Sequence, residues 1–463
     1  MASANPQVKL LKNLIWVYLI LLLLEGALRK WVFPGLSNFL LIIRDPLVVL
    51  IYMMAIANGR FVFNSFVAAN FFLAAACFCA GLILPDNSIA VTLIGLRCYF
   101  LHLPLIFVME KTLEKEDIWR MAKFLLWFAI PETILIVAQF STPQSSWANR
   151  GLGGVMTEGF SGAEGHARPP GTFSFTTGVG AFYPLVVAAL LGLWVTRQKL
   201  PLYLSVVVAA CVLLGIYMSI NRTNAVLCAW VLLVGSGAAI FALPNAPKQI
   251  VRLLLLVGLA AFLASLLPHF DEGMEAFNSR WESATGTDLS GFQSNIVMRF
   301  LDGVSLPMGL LMDTPILGYG VGSGTQMAQG FMTGHHGFAL GESEWPRLIL
   351  EMGPMLGLAF IILRIALCFK LAQVSFLALR RQNVWPALFA VEAIFMVVNA
   401  NWGQPTSLGF AVFSAGLTFA ATHMTRDGSA PKKTRRGRRH RVRAWKPPVE
   451  EPALPTGLPG MPS

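Results

Sequence analysis

Residues 14–28 read LIWVYLILLLLEGAL, a run interrupted only by Glu25 and Gly26 and closed by Arg29 and Lys30. Apolar and polar residues do not alternate in it, so a strand with one wet face is excluded. A helix, which keeps every backbone hydrogen bond within its own segment, is the form such a stretch takes in hydrocarbon. Runs of the same kind, rich in Leu, Ala, Val and Phe, recur as far as Met424. A transmembrane barrel would need short segments of alternating character instead. The whole composition agrees: of 463 residues 55% are hydrophobic and 13% charged, with mean hydropathy +0.63, against about 25% charged residues in a soluble domain. The expected fold is all-α, that of a polytopic integral membrane protein.

About twelve helices are predicted, over 14–30, 36–57, 62–84, 88–109, 118–140, 172–196, 201–220, 223–243, 250–267, 345–369, 384–400 and 405–424, most of them near the ~20 residues that cross a bilayer. The first run has no small-residue cleavage site and is expected to stay as a helix. An even count puts both termini on one side. If that side is the cytoplasm, the inner loops hold Arg60, Lys111, Lys115, Arg120, Arg197, Lys199, Lys248, Arg252, Lys370, Arg380 and Arg381, as the positive-inside rule requires. The outer side then receives two long loops, 141–171 and 268–344, both free of lysine.

Residues 1–424 thus read as a transmembrane unit and 425–463 as a tail. The tail carries ten Lys/Arg and three Asp/Glu, hence +7 of the net +11. Its basic run, 432–443, follows the last apolar segment and leads into a Pro-rich end. That context predicts a disordered cytoplasmic tail facing anionic lipid, with no nucleic-acid partner. The six cysteines lie inside apolar runs and signal neither a disulfide framework nor a zinc site.

The polar residues of the outer side carry the candidate chemistry. Arg168 stands in RPPGTF (168–173), immediately before a span, and Arg222 in SINRTN (219–224), between two spans with almost no loop. An arginine so close to hydrocarbon costs roughly 2.5–3.5 kcal/mol unless it is solvated or paired. Its planar fork fits two phosphate oxygens at once; the plain alternative is a side chain snorkelling to headgroups. Arg299, in MRFLDG (298–303), is expected on an interfacial amphipathic helix, and Arg280 on solvated loop surface. The glycine run DTPILGYGVGSG (313–324) lacks the strand and βαβ context of a dinucleotide loop, and no Walker A motif is present, so no nucleotide is expected. Glycine there lets backbone amides approach a ligand or another helix.

Histidine, with an ordinary pKa of about 6.5, is the side chain suited to taking a proton from a hydroxyl near neutral pH, and His335 and His336 are the candidates. Without an HExxH spacing or a cysteine cluster they do not read as metal ligands, and neither metal nor cofactor is expected. GESEWPRL (341–348) and LEMGPMLG (350–357) open the next span. Within the spans Glu25, Arg44, Asp45 and Arg97 are expected to form structural ion pairs, and His102 and Glu392 to be core polar residues with satisfied partners.

Taken in order, an arginine before a span, Asn-Arg between spans, Pro-Ile-Leu-Gly-Tyr-Gly-Val-Gly, a loop histidine and Glu-x-Glu-Trp followed by Leu-Glu-x-Gly-Pro are similar to the bacterial O-antigen ligase and Wzy-type polysaccharide polymerase superfamily. The resemblance covers roughly Arg168 to Gly357, with a softer match in EGALRKWVFP (25–34) and Arg44-Asp45-Pro46 to one branch of such proteins. It implies a GT-C-like bundle beneath a long periplasmic loop in the bacterial inner membrane. It also implies a metal-independent, cofactor-free transferase that moves a glycan from an undecaprenyl-diphosphate carrier to a hydroxyl acceptor. Arg168, Arg222 and Arg299 would then hold the diphosphate, and His335 or His336 would be the loop base. Ligases tend to show a His-Asn pair followed by closely spaced glycines, whereas this chain has His335-His336-Gly337 and then Glu342-Ser343-Glu344, so Glu344 competes for the base. The implied activity is repeat-unit polymerisation of a cell-surface polysaccharide. Ligation of the glycan to lipid A-core differs only in the acceptor. A lipid-linked oligosaccharide flippase is the reading from another class: it predicts polar groups near the midplane on broken helices related by internal repeats, whereas the sequence shows no convincing internal repeat and its polar residues concentrate in the outer loops; a non-catalytic assembly scaffold is the third.

Overall fold

The computed structural model describes residues 6–84, 88–155, 160, 162–285, 307–325, 328, 340 and 343–424. It divides the chain into Met1–Arg426 and Asp427–Ser463, and the basic tail lies outside the described residues. Within the first unit the regular elements are helices: α1 (Pro6–Ala27), α2 (Arg44–Ala57), α3 (Ser65–Ile83), α4 (Ile89–Leu96), α5 (Leu105–Thr112), α6 (Lys115–Ser141), α7 (Thr176–Val195), α8 (Leu202–Met218), α9 (Arg222–Ala242), α10 (Ala246–Ser265), α11 (Phe270–Thr285), α12 (Glu344–Leu379), α13 (Trp385–Asn399) and α14 (Pro405–Ala421). Among the described residues nine helical segments are long and apolar enough to cross a membrane, and α8, α13 and α14 are shorter apolar helices. Together they account for the stretches that the hydropathy pattern predicts, as a polytopic helical membrane protein.

Several boundaries differ from expectation, three of them instructively. α6 starts at Lys115 because Glu114 and Asp117 form a reciprocal capping box that satisfies two N-terminal amides. The expected span 88–109 is broken into α4, a π-helical turn at Arg97–Leu101, and α5. Pro104, which has no N–H to give, stands at the restart. α12 covers 36 residues with a break at Gly353, and its second part continues past the apolar stretch into Lys370 and Gln373.

Helices α7 and α14 form the centre. Every residue of α14 is buried, as are most of α7, which is what an all-round apolar helix with small residues requires. α14 packs on α13, α5 and α7, and α12 covers α13. The outermost faces are apolar: on α12, Met355, Ile362, Phe369 and Phe376, seven residues apart, are between 47% and 73% exposed. An apolar stripe of that size belongs against lipid.

The intramembrane charges pair as expected. Glu25 accepts from Arg44 Nε at 3.0 Å and meets Arg29 at 3.4 Å, while Asp45 pairs with Arg97 and, at 2.9 Å, with His102 Nε2. Tyr18 OH closes the chain at 3.1 Å from His102 Nδ1. Glu392 corrects the expectation of a satisfied partner. It is fully buried on α13, and among the described residues neither carboxylate oxygen has a hydrogen-bond partner.

Candidate anion site at the loop-bearing end

The chain folds into a polar cluster where the loop 142–175 meets the α8–α9 turn and α11. In SINRTN, Ile220 adopts φ +47°, reversing the chain at once, and Asn221 caps α9 by accepting from the Asn224 amide at 3.3 Å. The Asn221 amide group also donates to Thr176 O at 3.0 Å, tying the turn to the start of α7. Arg222 is therefore the first residue of a capped helix, held beside the segment that carries Arg168. A tight turn at Glu164 and Gly165 brings Ala163 opposite His166, and the Arg168 amide donates to Phe160 O at 2.9 Å.

α11 completes the cluster. Arg280 donates from Nη1 to Gly162 O at 3.1 Å, Ser279 Oγ donates to Glu164 at 2.7 Å, and Arg222 Nη1 donates to the backbone carbonyl of Arg280 at 3.2 Å. Arg168, Arg222 and Arg280 are all half-buried. Burial, and then the like charges of Arg280 and Arg222, hold the Arg168 guanidinium below its ordinary range. An anion beside Arg168 would favour its charged form. Arg280 is thus corrected from solvated loop surface to a member of the cluster. It escaped sequence reasoning because no motif surrounds it and 112 residues separate it from Arg168; its one signal was membership of a lysine-free, arginine-bearing loop.

The other sequence candidates fall elsewhere. Arg299, His335 and His336 lie outside the described residues. Glu344 is buried as the first residue of α12. Its Oε2 pairs with Arg347, and its Oε1 accepts from Arg364 at 2.6 Å and from the Trp402 amide at 3.1 Å. Both oxygens are thus engaged by the chain's own groups. Arg364 also donates to the carbonyls of Val397, Val398 and Ala400, satisfying the backbone where α13 ends, as non-helical chain within a membrane protein requires.

The glycine run is likewise occupied from within. The amides of Gly322 and Gly324 donate to Glu351 at 2.7 and 3.1 Å. The expected approach of glycine amides to a ligand or another helix resolves as the second, a nest whose anion is the chain's own carboxylate. No protein-family model matches this chain, and no curated protein matches it.

Proposed function

We propose that this chain is a glycosyltransferase that takes a glycan from a polyprenyl-diphosphate carrier and passes it to a hydroxyl acceptor at the periplasmic face, in repeat-unit polymerisation of a cell-surface polysaccharide. The observation that carries the reading is the convergence of Arg168, Arg222 and Arg280 at one end of an apolar bundle. A diphosphate at the head of a membrane lipid is the polyvalent anion such a place would meet. In the proposed step the acceptor oxygen attacks the anomeric carbon, the bond from that carbon to the diphosphate oxygen breaks, and the diphosphate leaves with the electron pair. The acceptor proton passes to a base, for which His335 or His336 is the assignment. The guanidiniums act by meeting charge as it develops on the leaving group, a preorganised electrostatic effect, and base assistance adds about 10²–10⁴-fold. The donor is already activated, so no nucleotide enters.

The test is transfer in vitro from a glycan-bearing polyprenyl diphosphate by Arg168→Ala, Arg222→Ala and Arg280→Ala protein, with the amount of folded protein measured separately. The expected result is a loss of at least about 10²-fold in each. Wild-type rates in all three would remove the cluster from catalysis.

A further inference from the structure

The motif EGALRKW, residues 25–31, plays no part in the step just proposed, yet it is among the most heavily engaged stretches in the molecule. It covers the end of α1 and its π-helical continuation, Leu28–Val32, and besides Arg44, which meets Glu25, and Ser37, which accepts from Arg29, several of its partners lie on the segment that follows Arg168. Lys30, 1% exposed, donates from Nζ to Gly171 O at 3.0 Å. Arg29, 4% exposed, donates from Nη1 to Ser174 Oγ at 3.0 Å. Trp31 Nε1 donates to Trp147 O at 3.0 Å at the start of the same loop. Gly26 packs so closely on the segment that a Cβ there would lie 2.3 Å from Ser174 N and 2.4 Å from Thr172 O.

α6 grips the segment from the other side. Glu132 accepts from the Thr172 amide at 3.1 Å, and Gln139 Oε1 accepts from the Gly171 amide at 2.8 Å. Lys30 and Glu132 also attract one another across it. Burying a lysine, an arginine and a glutamate is costly unless each is paired; here Lys30 and Glu132 bind the backbone of Gly171 and Thr172, while Arg29 divides its donors among Ser174 Oγ, Ser37 and Glu25. Two prolines, Pro169 and Pro170, connect that backbone to Arg168, and their restricted φ transmits its position with little slack.

We infer that EGALRKW, together with Glu132 and Gln139, is a clamp that positions Arg168 by fixing the backbone of residues 171–174. Lys30, Arg29 and Glu132 are positioning residues, bonded to the segment after Arg168 and not members of the arginine cluster. The inference rests on the proposed role of Arg168, and its test separates the two.

Full-length Lys30→Met, Arg168→Ala and the double variant are purified. Amide hydrogen exchange is followed over 160–175, and transfer is measured as kcat and as KM for the lipid-linked donor. The clamp predicts faster exchange over 166–174 in Lys30→Met, with kcat reduced by about 10²-fold, the effect of an ångström-scale misplacement. The double variant should be no slower than Arg168→Ala alone, because a clamp acting through Arg168 has nothing left to position. Unchanged exchange, or losses that multiply in the double variant, would overturn the inference. If exchange rises while Arg168→Ala keeps the wild-type rate, the clamp stands and the diphosphate role of Arg168 fails. If Lys30→Met does not accumulate, Trp31→Phe keeps an aromatic ring, smaller than the indole, and removes the N–H donated to Trp147. It should raise exchange over 147–155 and slow transfer several-fold, and no change in either would equally overturn the clamp.

Discussion

At the residue scale the central question is whether the three arginines act by charge alone or by geometry as well. A lysine in place of Arg222 keeps the cation but loses the planar fork, and the donation from Nη1 to the Arg280 carbonyl would have to be made from a point charge. Arg222→Lys is therefore expected to be nearly as damaging to transfer as Arg222→Ala, with Arg168 and Arg280 behaving alike. A snorkelling arginine predicts the reverse, since an ammonium reaches headgroups equally well. The steady-state rate of each pair of variants decides between them. Glu392 supports a prediction of opposite sign. Its unpartnered oxygens cost stability wherever water is excluded, so Glu392→Met, of similar length and without those oxygens, is expected to stabilise by about 1–3 kcal/mol. A rise in melting temperature of the purified protein checks it; a fall would mean that the carboxyl has a partner in the working molecule.

At the scale of elements, the entry to α12 shows how backbone and charge hold one another. The helix is interrupted at Gly353, φ +78° and ψ +167°, where the chain lies against the glycine run: Tyr319 N donates to Leu350 O at 2.7 Å, and Glu351 binds the Gly322 and Gly324 amides. An alanine at 353 would have to take a positive φ and place its Cβ 2.1 Å from Ile316 O. The backbone conformation alone costs about 1–3 kcal/mol, and the overlap adds to it. Gly353→Ala is expected to lower the melting temperature strongly. Glu351→Gln, which keeps the shape but removes the charge facing Arg347 at 3.3 Å, should destabilise as a broken buried pair does, by about 3–5 kcal/mol. Thermal unfolding in detergent measures both, and a Glu351→Gln protein as stable as wild type would show that the pair contributes only placement.

For the whole molecule the issue is orientation. The basic residues cluster in alternate loops and in the tail, and that bias orients a helical bundle in the membrane. Both termini are expected in the cytoplasm, with 268–344 outside. In a background stripped of the six native cysteines, Ser290→Cys should react with an impermeant thiol reagent in intact spheroplasts and Ser429→Cys should not. The opposite pattern would put the arginine cluster on the wrong side for an exported glycan. The tail's +7 is worth about 1 kcal/mol per basic residue near anionic lipid. Deleting 432–463 should thus reduce insertion without changing the glycan linkage. A truncated protein at normal level but inactive would assign the tail a further task.

What the sequence determined by itself is whatever depends on contiguous residues. Crossing hydrocarbon is a property of one run of side chains, so α1 and α7 were legible at sight, and a guanidinium at a span boundary, as at Arg168 and Arg222, announces itself by its cost. The Glu25–Arg44 and Asp45–Arg97 pairs followed too, because buried charges must neutralise one another and few were on offer. Tertiary structure alone decided which distant groups meet. Arg280 joins Arg168 because α11 docks on the 162–166 turn, and Glu344 turns from candidate base to structural ligand because Arg347 and Arg364 reach it from two other turns of α12. The glycine run closes on Glu351, and EGALRKW grips a segment far along the chain, Lys30 to Gly171 being 141 residues apart. In each case the outcome depends on helix rotation and on which backbone is left unsatisfied nearby, and neither is written in any local stretch of chain.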